Sequence, residues 1–194
     1  YQLKGQINYL NDETKSEATS KTIYYLPDGS YILSETENGK SYQNMLTTNL
    51  TLIGNKDKFY LRNTLNTEWK WHRIDLMTQN DKNLIQEKAY MPSHKVSNNF
   101  NLVKRLRNQS ISFSSFILWQ STPNTLDIFT DEKEKQIQSV STFFLFNNNH
   151  AIYSFTLGKF ILSLNGGINF LLRQMDSNQQ NNHIPVEGDR KSVV

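Results

Sequence analysis

The residues best suited to hold a metal are four histidines, His72, His94, His150 and His183, and none lies two or four positions from another. The chain has no cysteine, so a site would need histidines and carboxylates converging from distant segments; no metal is expected. His72 sits in Trp69-Lys70-Trp71-His72-Arg73, where strand alternation turns it away from both tryptophans. Nucleophilic catalysis finds no support either, since the many serines include no G-x-S-x-G elbow. Asn165-Gly166-Gly167-Ile168-Asn169 lacks the lysine and following helix of a phosphate loop and reads as a hairpin turn. Of the carboxylates that could work as acid and base, Glu35 and Glu37 share a face near a turn, and Glu68 and Asp75 alternate to opposite faces of one strand. Solvated turn charges account for them, and no constellation argues for an enzyme.

Nucleic-acid chemistry rests on one dense basic cluster, Lys104-Arg105-Leu106-Arg107, with Phe100 and Trp119 as stacking faces. Acidic residues are interspersed through the rest of the chain, and the net charge is only +3; no nucleic-acid partner is expected. The aromatic inventory is more suggestive. Phe113, Ile117, Trp119, Phe143, Tyr153 and Phe155 fall on strands expected to be neighbours, with alternation placing them on a common face. Around a closed sheet, such a face lines either a packed core or a cavity for a small hydrophobic ligand.

The elements that position these residues are read from the pattern. The chain has 194 residues, 37% hydrophobic, 12% aromatic and 20% charged, with a mean hydropathy of −0.62. No run approaches the ~20 apolar residues of a spanning helix, and aromatics are too abundant for a disordered chain. Period-2 alternation dominates, beginning with Tyr1, Leu3, Ile7 and Tyr9 against Gln2, Lys4, Gln6 and Asn8. Turn chemistry interrupts it at Pro27-Asp28-Gly29, Asn38-Gly39, Gly54-Asn55-Lys56-Asp57, Asn147-Asn148-Asn149 and Asn165-Gly166-Gly167. Residues 11–20 read as a loop, 92–99 as irregular, 100–107 as strand or one short helix, and 130–136 as a charged turn. About a dozen short strands follow. The fold class is all-β: an antiparallel meander closed into a barrel of about 8–10 strands, which removes exposed edges, with a β-sandwich as the alternative.

One antiparallel domain is expected over 1–176, followed by a polar tail at 177–188. The string Asp189-Arg190-Lys191-Ser192-Val193-Val194 resembles a translated sequencing-adapter read-through rather than protein. Together with a start inside a strand, this reads as a gene fragment open at both ends, and the compartment is therefore not legible.

The opening Leu3-Lys4-Gly5-Gln6-Ile7-Asn8-Tyr9 and the late Phe170-Leu171-Leu172-Arg173 resemble lipocalin-like (calycin) barrels. Those barrels open with G-x-W, across whose Trp an Arg near the last strand packs. Gly5 and Arg173 match that pattern, whereas Ile7 stands where the Trp belongs, which removes the cation–π partner. The resemblance implies barrel closure at Gly5, Ile7 and Arg173. It also implies a non-enzymatic carrier of a small hydrophobic or conjugated ligand, in one branch a linear tetrapyrrole.

Two other functions compete. An outer-membrane β-barrel piece has strands such as Tyr153–Leu164 that are long enough to span. Against it, alternation places Lys159 with Phe155 and Ile161, and the turns lack short/long asymmetry, so membrane association is not expected. A β-sandwich interaction or adhesin module is the third reading.

Overall fold

The computed structural model describes residues 1–80, 83–130 and 134–183. The fold is all-β, an antiparallel meander of eight strands: β1 (Gln2–Leu26), β2 (Gly29–Lys56), β3 (Phe59–Asn80), β4 (Leu84–Tyr90), β5 (Ser93–Leu106), β6 (Gln109–Thr130), β7 (Glu134–Leu157) and β8 (Phe160–His183). Hydrogen-bonded neighbours run in chain order from β1 to β8, with β4 and β5 end to end in one position between β3 and β6. Among the described residues no ladder joins β1 to β8, and no second layer covers the sheet.

The strands are fewer and longer than the turn signals suggest. Residues 11–20 continue β1 and pair with Lys40–Asn44 and beyond. Asn38-Gly39, Asn147-Asn148-Asn149 and Asn165-Gly166-Gly167 all lie inside strands. Residues 93–99 and 100–106 form β5 rather than irregular chain or helix, with Pro92 just before the strand and Arg107 in the turn after it. Residues 177–183 of the expected tail pair with β7, while the rest of it and Asp189–Val194 lie outside the described residues. Polar side chains do not interrupt a ladder whose backbone groups are satisfied by a neighbouring strand.

The turns that do reverse the chain are tight. Leu26 pairs with Gly29, Lys56 with Phe59, Leu106 with Gln109 and Leu157 with Phe160. Gly158 has φ 61° and Arg107 φ 47°. A positive φ at the first of two turn residues is the type II′ pattern, matching the right-handed twist of the flanking strands. Glycine adopts it freely, whereas Arg107 carries the steric cost. The break between β4 and β5 also has a local cause. Tyr90 pairs with Thr125 and His94 with Ser121, so Pro92 stands opposite Pro123, and neither can donate to the ladder.

The register is a staircase. Phe59 at the first of three successive turns on one edge faces Lys104, two residues short of Leu106 at the second. Gln109 at the second faces Phe155, two residues short of Leu157 at the third. Each step spans two strand positions, a stagger of one residue per strand. With a rise of ~3.3 Å and a strand spacing of ~4.8 Å, that corresponds to a tilt of about 35°.

No hydrophobic residue is buried among the described residues. The chain exposes 14727 Å², against roughly 9,500 Å² for a compact chain of its mass. A half-apolar sheet needs something to cover its apolar face. The sheet does not supply that cover from within itself.

Candidate functional site

Residues opposite one another in an antiparallel ladder project to the same side, so the register sorts every side chain onto one of two faces. One transverse row reads Gly5–Leu50–Leu65–Asn98–Ile117–Asn147–Phe170. The next reads Ile7–Thr48–Thr67–Val96–Trp119–Leu145–Leu172. From the row of Leu61 to the row of Trp69 this apolar face carries no Asp, Glu, Lys or Arg. Eight residues separate those rows, about 27 Å along the strand and about 22 Å along a barrel axis at the tilt above.

All three tryptophans, Trp69, Trp71 and Trp119, lie on this face at one boundary of the belt. Tyr9 joins them there and donates its hydroxyl to Asn44 Oδ1 at 3.0 Å, while Asn11 Nδ2 donates to the same oxygen at 2.6 Å. A ring in the apolar zone with its hydroxyl reaching a polar row is how tyrosine behaves at a boundary. At the other boundary Lys56 Nζ lies 6.0 Å from the centroid of the Tyr1 ring, a cation–π contact beside the tight turn.

Six of the polar side chains inside the belt pair with one another. Thr48 and Thr67 hydroxyls are 2.7 Å apart, Asn98 Nδ2 donates to Asn63 Oδ1 at 2.8 Å, and Asn149 Nδ2 donates to Asn147 Oδ1 at 2.7 Å. Beyond the tryptophans charged residues stand on both faces, among them Lys15, Arg73 and Asp75 on one and Asp12, Glu37 and Glu87 on the other. On β1 that stretch holds Asp12, Glu13, Lys15, Ser16, Glu17 and Lys21. Arg73, just outside the belt, grips Asp75 with Nε–Oδ1 at 3.0 Å and Nη2–Oδ2 at 2.9 Å. The hydrogen bond that Arg73 donates to Asp75, and then the charge of that carboxylate, raise the guanidinium pKa above the ordinary value.

The opposite face differs over the same span. It carries cross-strand polar pairs: Asn8 Nδ2 donates to Thr47 Oγ1 at 3.3 Å, Asn49 bonds Asn66, and the Thr51 and Thr64 hydroxyls are 3.3 Å apart. Ser41 Oγ meets His72 Nε2 at 2.9 Å further along. Thr51 is 7% exposed. A cleft of about 380 Å³ opens on this side among Asn8, Asn49, Asn66, Glu68, Lys95 and Ser97.

The structure brings the six aromatic-face candidates together. Phe113, Ile117 and Trp119 on β6 and Phe143, Tyr153 and Phe155 on β7 all lie on the apolar face. Tyr153 and Phe155 have centroids 5.9 Å apart, and Phe113 meets Phe100 at 6.0 Å. A cleft of about 650 Å³ lies elsewhere, among Lys15, Lys40, Arg73, Met77 and Lys88. Gly5 and Ile7 stand on the apolar face of β1, whereas Arg173, opposite Phe144, is on the polar face of β8 at the far edge. The objection raised by Lys159 is corrected: Gly158 and Lys159 form a turn, so Phe155 and Ile161 belong to different strands and opposite faces. Among the described residues no three His, Cys, Asp or Glu side chains group to hold a metal. Sequence reasoning missed Leu50, Leu65, Trp69 and Leu172 as members of the belt; alternation marks each locally, but only the register joins them.

No protein-family model and no curated protein matches the chain. Among solved structures it is similar to the ferric yersiniabactin uptake receptor FyuA from Yersinia pestis, at 10% identity over 92% of this chain, with a TM-score of 0.36. The chain spans 38% of that receptor's length. It is also similar to a major outer membrane protein from Thermus thermophilus, at 6% identity over 91% of this chain and 99% of that one, with a TM-score of 0.22. A third, the membrane pore complex of pneumolysin, is 5% identical over 95% of this chain and 33% of that one, with a TM-score of 0.24. At such scores these likenesses assign nothing to this chain.

Proposed function

We propose that this chain is part of the wall of a transmembrane β-barrel, with its apolar face against lipid and its polar face lining a water-filled passage. One observation carries the reading: a charge-free belt about 22 Å tall on one face only, edged by every tryptophan in the chain and giving way to strand that carries charge on both faces. Barrels that span outer membranes have an apolar band ~25 Å tall, aromatic girdles and strands tilted ~35–45°. The strand extensions supply the asymmetry that the turns lack. Tight turns close the sheet beside one boundary, whereas β1 runs on from Tyr9 to Leu26 past the other. Lipid covers the apolar face that the sheet leaves open, and the edges β1 and β8 must pair there, with each other or with further strands.

The soluble-carrier reading curls the same sheet the other way, with the apolar face inward. It leaves strands of up to 28 residues, roughly 90 Å long, without an interior to serve.

The two are separated by refolding the full chain from urea into phosphatidylcholine vesicles. Because the chain has no native cysteine, a single Leu50→Cys reports on the apolar face. The membrane reading expects heat-modifiable migration in gels and a thiol shielded from water-soluble maleimide in vesicles. A monomer soluble without detergent, whose thiol reacts equally with and without vesicles, refutes it.

A further inference from the structure

Within the span of the belt, the polar face carries Lys4, Arg62, Lys95 and Arg173, and of the acids only Glu68. Glu68 stands directly opposite Lys95 without closing an ion pair with it, and offsets one of the four positive charges. The cations are spread over β1, β3, β5 and β8 rather than gathered at one point, so they build a field along the wall instead of a single binding site. Arg62, Lys95 and Arg173 are exposed and form none of the ion pairs found among the described residues. A wall of one sign beside low-dielectric protein and lipid concentrates counter-ions severalfold.

We infer that this face favours anionic solutes: the passage selects for anions over cations, through a surplus of fixed positive charge on the polar wall. The inference rests on the membrane reading and deepens it. It concerns small anions as a class, since no arrangement here matches one headgroup or one phosphate geometry.

The test reads the local potential directly. Asn99→Cys places a unique thiol on the polar face between Arg62 and Lys95, opposite Thr64. Its reaction rates are measured in vesicles with a sulfonate-bearing and a trimethylammonium-bearing methanethiosulfonate, each normalised to a free thiol. The normalised anion-to-cation ratio is expected to be at least fivefold above unity at 50 mM salt. It should collapse towards unity at 1 M salt, where the Debye length is ~3 Å, and fall at least threefold in Arg62→Gln/Lys95→Gln. The control Lys15→Gln/Lys40→Gln, beyond the belt, should leave it unchanged. A ratio at or below unity, or one indifferent to the Arg62/Lys95 pair, overturns the inference while the membrane reading stands. If Leu50→Cys is unshielded in the same vesicles, the membrane reading itself falls and takes this one with it. Both charge variants alter exposed side chains, and β-sheet circular dichroism checks that each folds.

Discussion

A single arginine placed on each face in turn distinguishes lipid from water as the medium outside the sheet. Leu50 pairs with Leu65, which lies four residues from both Leu61 and Trp69. It therefore sits at mid-belt, about 11 Å from either boundary at the tilt derived above. Leu50→Arg puts a guanidinium at the depth where a lipid-facing arginine costs about 2–4 kcal/mol, roughly a 30- to 700-fold loss in the folding equilibrium. Gln6→Arg is the matched control: Gln6 follows Gly5, the partner of Leu50 on β1, and so projects from the polar face at nearly the same height. A cost below about 0.5 kcal/mol is expected there, as for an exposed surface change. Urea titrations of folding in dilauroyl-phosphatidylcholine vesicles, followed by tryptophan fluorescence, measure both. Equal costs, or a larger cost at Gln6, would refute the assignment of faces and with it the transmembrane reading.

Three further outcomes are expected. Arg107→Gly relieves the positive φ of 47° and should stabilise the folded chain by about 1 kcal/mol, seen as a higher urea midpoint; no shift would show the turn to be unstrained. Asn98→Leu alone strands the Asn63 amide inside the belt and should cost about 1–3 kcal/mol, whereas Asn63→Leu/Asn98→Leu together should be near neutral or better. The same titration compares the two variants, and a double variant worse than the single contradicts the pairing. Finally, Trp69, Trp71 and Trp119 at one boundary should be quenched more strongly by nitroxides near the lipid headgroup than by nitroxides at the bilayer centre; the reverse order would misplace the belt.

Composition and alternation were enough to establish an all-β chain, an antiparallel meander and the shared face of Phe113, Ile117, Trp119, Phe143, Tyr153 and Phe155. Those signals are local: each needs only a neighbour two residues away. Strand length was not legible. Asn38-Gly39, Asn147-Asn148-Asn149 and Asn165-Gly166-Gly167 have turn chemistry yet lie inside strands, because pairing with β1 and β3, with β6 and β8, and with β7 respectively holds their backbone in the ladder. The real reversals at Arg107-Asn108 and Gly158-Lys159 carry weaker sequence signals, and placing Gly158-Lys159 inside a strand put Lys159 on an apolar face it does not share. Register is a relation between distant segments, and shifting it by one residue exchanges the faces of an entire strand. A single chain therefore announces which of its residues are apolar, whereas only the assembled sheet decides that Leu50, Leu65, Ile117 and Phe170 stand in one row, and that the cations stand behind them.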